Sequence, residues 1–257
     1  MSIIQNTIED IKNLKWQGFH QALELQLSNT AYLKMSFEER LGHLVNNELT
    51  QRRNRKIKHL LSRSKLKYKQ AFIEEIEYRV SRNLNKSAIL TLIGNEWIER
   101  NQNIIISGAT GTGKTWLGCA LANNAIVNGY SVFYIRLSKL FAEIKLVRAD
   151  GSYLSYLKKL QKYRVLVLDD FGSGAMKASD VAELLEVIED RSYIGSTIIT
   201  SQIPVTAWYE YLNQPVIADA ILDRLIHTSY RIELKGESMR KLKSNITNEN
   251  LKKEELP

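Results

Sequence analysis

The sequence predicts an α/β fold, a parallel sheet flanked by helices, preceded by a small all-helical region. Two observations carry this expectation. Four short apolar, β-branched runs, NIIISG (103–108), SVFYI (131–135), RVLVLDD (164–170) and STIITSQ (196–202), are separated by helical patterns such as Val181, Leu184, Leu185 and Ile188. Near-continuous apolar runs mark strands buried on both faces, and helices between them supply the crossovers that parallel strands require. The first hundred residues instead carry their apolar residues at helical spacing.

The elements follow in chain order. Ile4, Ile8, Ile11, Phe19, Leu23 and Leu27 suggest one or two amphipathic helices. Ser36, Phe37, Glu38 and Glu39 have the form of a capping box, the serine oxygen accepting a free backbone N–H while the glutamate reaches back. Behind it Phe37, Leu41, Leu44, Val45 and Leu49 form one apolar face, which the preceding helices are expected to cover. The helical pattern continues through Ile57, Leu60, Leu61 and Leu66. These features define a helical domain over 1–70, a helical linker over 71–100, an α/β domain over 101–240 and a polar tail over 241–257.

Charge is concentrated in one place. The run RRNRKIKHLLSRSKLKYK (52–69) contains Arg52, Arg53, Arg55, Lys56, Lys58, Arg63, Lys65, Lys67 and Lys69 and no acid, while the whole chain has a net charge of +8. The rest of the chain is therefore slightly acidic. Such a run fits a solvated helix face, but cations at this density repel one another unless a polyanion neutralises them, which points to nucleic acid. Lys139, Lys145 and Arg148, after the second strand, fit either further contacts of this kind or a solvated helix.

Other classes are disfavoured. The opening MSIIQNTIED has no basic region followed by an apolar run, and no stretch approaches the roughly 20 apolar residues of a membrane span, so a cytoplasmic protein without membrane contact is expected. The single cysteine, Cys119, lies among apolar residues in WLGCALA and reads as a buried small hydrophobe. There is no internal repeat and no low-complexity segment.

The stretch GATGTGKT lies between the first strand and a helical segment and matches GxxxxGK[ST] at Gly108, Gly113, Lys114 and Thr115. In that context the glycines let backbone N–H groups turn inward around phosphates, and the helix N-terminus adds positive potential. Gly108, Ala109, Thr110, Gly111, Thr112, Gly113, Lys114, Thr115 and Trp116 form the candidate nucleotide-binding set, with Lys114 directed at the β- and γ-phosphates and Thr115 at magnesium (Mg2+). The run VLVLDD supplies two acids at a strand end. Asp169 is placed to hold the metal, directly or through water, and Asp170 to orient an attacking water, although Asp170 also fits the start of a turn. The second acid favours hydrolysis over transfer to a small molecule, and no arginine-rich lid of a small-molecule kinase is identifiable. Thr200, Ser201 and Gln202 replace the apolar residues that would have continued their strand, so they either sense a γ-phosphate or cap a turn. Arg224, in ILDRLIH beside Asp223, fits a local ion pair or an arginine finger reaching a neighbouring subunit.

These motifs resemble the IstB-like branch of the AAA+ P-loop ATPases, relatives of the DnaC helicase loader. The resemblance covers nearly the whole chain: SFEERLGHLVNNEL, NEWIERNQNIIISGATGTGKT, VLVLDDFG, IITSQIPVTAWYEYL and ADAILDRLIHTSYRIELKGESMR. It implies an ATPase that oligomerises on duplex target DNA when ATP is bound and serves a cognate transposase in insertion-sequence transposition. It matches Lys114 and Thr115 to Walker A, Asp169 and Asp170 to Walker B, Ser201 or Gln202 to the sensor region and Arg224 to the finger acting in trans. It also offers Trp97 and Ile98 as adenine-side contacts. Two departures stand out. Asp170 is shorter than the glutamate of many AAA+ proteins, and the residues after KGES are too few for a helical lid, leaving Arg231 or Arg240 to replace the lid's sensor arginine. A helicase loader, the alternative, would prefer single-stranded DNA, and an architectural DNA binder would not require Lys114 and Asp169.

Overall fold

The computed structural model describes residues 3–78 and 80–239. The expected tail over 241–257, the absence of a lid and Arg240 therefore lie outside the described residues. The chain divides into two compact units, the first ending at His59 and the second beginning at Leu60, inside a single helix.

The first unit contains α1 (Ile3–Asn13), α2 (Gln17–Ser28), a 3-10 turn (Thr30–Lys34) and most of α3 (Phe37–Arg63). The capping box forms as the sequence indicates, with Ser36 N–H donating to Glu39 Oε2 at 2.8 Å and Glu39 N–H to Ser36 Oγ at 3.2 Å. Ile11, Ala22, Leu23 and Leu44 form its buried core, with Ile8 and Phe19 packed against it. Gly18 permits α2 to meet α3, since a Cβ there would lie 2.7 Å from the Asn47 carbonyl oxygen. The buried side of α3 is narrower than expected. Leu44 and Glu48, one turn apart, are its buried residues, whereas Phe37, Leu41, Val45 and Leu49 stay exposed. At about 100° per residue Val45 and Leu49 are turned about 100° and 140° away from Leu44, whereas Phe37 and Leu41 lie on roughly the same side as Leu44 and Glu48, so their exposure is not a matter of spacing.

Glu48 replaces the missing apolar contacts with polar ones. Its Oε2 accepts the N–H groups of Gly18 at 2.8 Å and Phe19 at 3.1 Å, in the first turn of α2, while Oε1 pairs with Arg52 at 2.6 Å and Arg55 at 3.7 Å. Burial opposes ionisation of Glu48, but the bonds from Arg52, Phe19 and Gly18 outweigh it and hold the carboxyl below its ordinary pKa. The basic run is thus partly compensated by an acid just upstream of it.

The second unit carries α4 (Lys86–Ile93), α5 (Glu96–Glu99), β1 (Asn103–Gly108), α6 (Lys114–Val127), β2 (Val132–Arg136), α7 (Leu137–Ala149), α8 (Tyr153–Gln161), β3 (Val165–Phe171), α9 (Ala178–Arg191), β4 (Ser196–Ser201), α10 (Trp208–Leu212), α11 (Pro215–Ile226) and β5 (Ser229–Leu234). The five strands are parallel in the order β2-β3-β4-β1-β5. Four of them coincide with the apolar runs. The fifth, SYRIEL, lies outside the expected strands, because its polar and apolar residues alternate instead of forming a continuous apolar run such as the other edge strand, β2, carries.

Alternation along the strands sorts the sheet into two faces. Ile105, Phe133, Ile135, Leu166, Leu168 and Ile199 join the core shared with α7, α8, α9 and α11. The opposite face meets α6, whose Gly118 lies against Ile106, Ile198 and Thr200. By the same alternation Tyr134, Asp169 and Thr200 belong to the α6 side, Asp169 and Thr200 near the carboxyl ends of their strands and Tyr134 in the middle of β2.

Candidate nucleotide site

The glycine-rich loop occupies the carboxyl end of β1 and leads directly into α6. Gly108, Gly111 and Gly113 all adopt positive φ, at 147°, 88° and 95°. At Gly108 an added Cβ would lie 2.3 Å from the Leu234 carbonyl oxygen of β5, so both the conformation and the close approach require glycine. The Ala109 carbonyl is the centre of the loop, accepting from Lys114 Nζ and Thr112 Oγ1, each at 2.8 Å. Lys114 is buried, and Thr115 and Trp116 are half-buried in the first turn of α6.

Asp169 is fully buried and surrounded by hydroxyl groups. Its Oδ1 accepts from Thr115 at 2.7 Å and Thr200 at 2.5 Å, and its Oδ2 accepts from Tyr134 at 2.5 Å. Burial first, then the bond to Asp169, raises the Tyr134 pKa, keeping its phenol protonated as a donor. One residue on, Asp170 is half-buried and sits at φ 64° where the β3–β4 register shifts between Leu168 and Phe171. Its backbone N–H donates to Thr200 Oγ1 at 3.2 Å. A non-glycine residue in left-handed backbone at a strand end is a strained arrangement of the kind that collects at functional sites.

The hydroxyl of Thr115 beside Asp169 is a hard-oxygen set suited to magnesium, which commonly takes one or two protein ligands and completes its shell with phosphate and water. Among the described residues no three His, Cys, Asp or Glu side chains converge as a metal-binding group, so a metal held wholly by such side chains is not supported there. The loop and this oxygen pair together fit a magnesium nucleotide.

Several sequence-selected residues occupy other places. Trp97 and Ile98 do not fit the adenine-contact expectation. Both are buried at the amino ends of the strands, where Ser196 Oγ donates to the Trp97 carbonyl at 3.1 Å and Arg164 donates to the Ile98 carbonyl at 2.9 Å. The glycine loop lies at the opposite edge. Ser201 is fully buried, donating to the Ile203 carbonyl at 2.7 Å and accepting from Trp208 Nε1 at 3.2 Å, which suits the turn role better than sensing. Gln202 does reach the loop, accepting from Thr110 Oγ1 at 3.3 Å. Arg231 lies mid-strand on β5 beside Ile105 of β1 and directs its guanidinium to the Ile226 carbonyl, away from the loop. Arg224 pairs locally with Glu189 at 2.7 Å, and its own carbonyl accepts from Asn103 Nδ2 at the start of β1.

Of the additional basic candidates, Lys145 pairs with Asp180 at 3.3 Å, and Arg148 makes a fork to Glu183 at 2.5 and 2.9 Å. Their charge is engaged within the fold, which disfavours both as DNA contacts, while Lys139 is exposed. Cys119 is buried and its thiol is pushed up to about 11, mainly by burial.

Further residues complete the site. Thr200, expected either to sense a γ-phosphate or to cap a turn, donates to Asp169; Tyr134, absent from the sequence expectations, was recoverable in principle from strand alternation. Arg82 was not, because it arrives from a segment without regular pattern to donate to the Thr112 carbonyl at 3.2 Å and the Glu77 carbonyl at 2.8 Å. Met239 N–H donates to the Gly111 carbonyl at 3.0 Å, closing a second segment over the loop.

This arrangement agrees with the relatives of the chain. A model of the family described as IstB-like ATP binding protein matches residues 9–247. The chain belongs to the IstB-like family. An insertion sequence ATP-binding protein of Sinorhizobium fredii is 40% identical over 235 residues, covering 91% of this chain and 96% of the relative. The ATP-binding protein of insertion sequence IS1162 from Pseudomonas fluorescens is also 40% identical, over 78% of this chain and 87% of its own length. Among solved structures, the DnaC helicase loader is similar with a TM-score of 0.53 and 22% identity, over 63% of this chain and 95% of the loader. DnaI gives 0.54 and 21%, over 69% and 94%. At those identities the solved structures show the fold alone, a parallel sheet flanked by helices with the glycine-rich loop after its first strand, and the relatives are named as ATP-binding proteins of insertion sequences.

Proposed function

We propose that this protein is an ATP-hydrolysing switch that assembles on duplex target DNA and recruits or activates the transposase of an insertion sequence. The single observation that carries the hydrolytic reading is the pair at the end of β3: Asp169 bonded to Thr115, followed by Asp170 in left-handed backbone at the register shift. Loop N–H groups and Lys114 hold the phosphates. Thr115 and Asp169 would hold magnesium, which would supply positive charge against the phosphates. Asp170 orients a water and takes its proton as the water oxygen bonds to the γ-phosphorus; the bond from that phosphorus to the bridging oxygen breaks, releasing ADP and phosphate. Gln202, bonded to Thr110, reports the γ-phosphate to the end of β4.

Arg224 acts in trans. Its attachment to the start of β1 supports this reading, since the loop of the same chain lies at the far end of that strand. In an assembly Arg224 exchanges Glu189 for the neighbouring subunit's nucleotide, linking ATP affinity to oligomer formation. The basic run neutralises DNA phosphates, so binding is salt-dependent and weakly sequence-specific. The insertion-sequence relatives at 40% identity support a transposase as partner, and a cytoplasmic location follows from that role. Among the described residues no helix is long and apolar enough to cross a membrane.

The test is anisotropy of labelled duplex and single-stranded DNA of equal length, titrated with the protein and ATP at two salt concentrations. Tighter binding to duplex that weakens steeply with salt supports the proposal. Preference for the single strand would transfer support to a helicase-loader role.

A further inference from the structure

The short segment after α3 lies beside the nucleotide site. From Ser64 to Ala71 the chain is neither helix nor strand, and exposure alternates: Ser64 and Leu66 are buried, while Lys65, Lys67 and Lys69 face solvent. Two anchors hold the inner side. Tyr134 N–H donates to the Ser64 carbonyl at 2.8 Å, and Asn123 Nδ2 donates to the Lys69 and Ala71 carbonyls, each at 2.9 Å. Ser64 fixes its own turn, with Oγ donating to the Leu61 carbonyl at 2.8 Å and accepting from Leu66 N–H.

These anchors fall on two of the three elements that carry partners of Asp169, β2 and α6. Tyr134 belongs to β2 and bonds to Asp169 through its phenol while its backbone holds Ser64. Asn123 lies eight residues after Thr115 along α6, on the same side of the helix. The Asp169 carboxylate is fully buried, so losing the Tyr134 donor would leave Oδ2 without this bond and free the side chain to turn away from Thr115.

We infer that Tyr134 is a positioning residue for magnesium and that the Ser64–Ala71 strap, through its bond to Tyr134, sets how Asp169 is presented to the Thr115 hydroxyl. A polyanion gripping the outward lysines would then alter magnesium-nucleotide binding by moving the strap. That last consequence rests on the DNA-binding reading; the link between strap and metal site does not.

A double-mutant cycle of Tyr134→Phe and Ser64→Ala in the full chain tests the link without DNA or turnover. The readout is affinity for a fluorescent ATP analogue, titrated with magnesium and repeated in chelator. Tyr134→Phe is expected to raise the magnesium concentration for half-maximal effect about tenfold, the scale of lost outer-shell support, while affinity in chelator stays within about twofold, which also reports an intact fold. Ser64→Ala is expected to produce a smaller shift that vanishes in the Tyr134→Phe background. Unchanged magnesium dependence in Tyr134→Phe, or additive effects of the two substitutions, would overturn the inference. Failure of the DNA reading registers separately, as absence of duplex binding by the unmodified protein.

Discussion

The Thr115 hydroxyl donates to Asp169 Oδ1 at 2.7 Å across 54 residues of sequence. This bond joins the first turn of α6 to the end of β3 and makes one site from two motifs. Removing the lysine one residue earlier tests what the joined site holds. Lys114→Ala is expected to weaken ATP binding about 10- to 100-fold, the scale of a charge-assisted contact of about 1.5–3 kcal/mol. Titration calorimetry with ATP measures it, and unchanged affinity would remove Lys114 from the phosphate contacts.

Asp170 should separate binding from turnover. Asp170→Asn keeps the size of the side chain but not its ability to take a proton, so nucleotide affinity is expected to change little while phosphate release falls at least about 100-fold. Comparable turnover in the substituted protein would return Asp170 to the simple turn role.

Arg224→Ala is expected to leave ATP binding by dilute protein unchanged and to reduce turnover in the DNA-bound assembly by about a thousandfold or more, as for a finger supplied in trans. Glu189→Gln, which removes the charge of its local partner, should not share that loss. Equal loss in both variants would identify the ion pair itself, not a contact between subunits, as the important feature.

Charge in the basic run should appear as a salt slope. Each phosphate contact contributes roughly 0.9 to the slope of log affinity against log salt, so Lys56→Ala is expected to lower it by about one unit. Arg148→Ala should leave it unchanged, because the guanidinium is already forked onto Glu183. A reduced slope in Arg148→Ala would mean that this fork opens on DNA.

Glu48 gives the helical unit a pH dependence. Its folded pKa lies below the ordinary value of 4.5, so its stabilisation is complete above that value and is lost as the pH falls through the lowered one. Glu48→Ala, which removes the cap on α2, should cost about 1–2 kcal/mol near neutral pH and less in acid. Hydrogen exchange of the α2 amides measures both effects, and a pH-independent difference would contradict the cap.

The sequence made the strands, the phosphate loop and the two acids of β3 legible because each depends on local pattern: apolar runs, glycines of fixed spacing, a strand end. Residues fixed by register were harder. Thr200 and Ser201 are adjacent polar residues on one strand, and only the sheet face separates Thr200, bonded to Asp169, from Ser201, bonded to Trp208. Trp97 preceded β1 closely enough in sequence to suggest the adenine, but a strand carries its two ends to opposite edges of the sheet. Leu44 was legible as core, whereas the exposure of Leu41, on the same side of the helix, was not, because it depends on what packs against the helix and not on the spacing of its apolar residues.

Sedimentation of the purified protein with ATP tests the central claim most directly, using duplex and single-stranded DNA of equal length with Lys114→Ala as control. Large ATP-dependent complexes on the duplex, absent in the control, are the predicted result. A monomer indifferent to ATP, or assembly favouring the single strand, would contradict it.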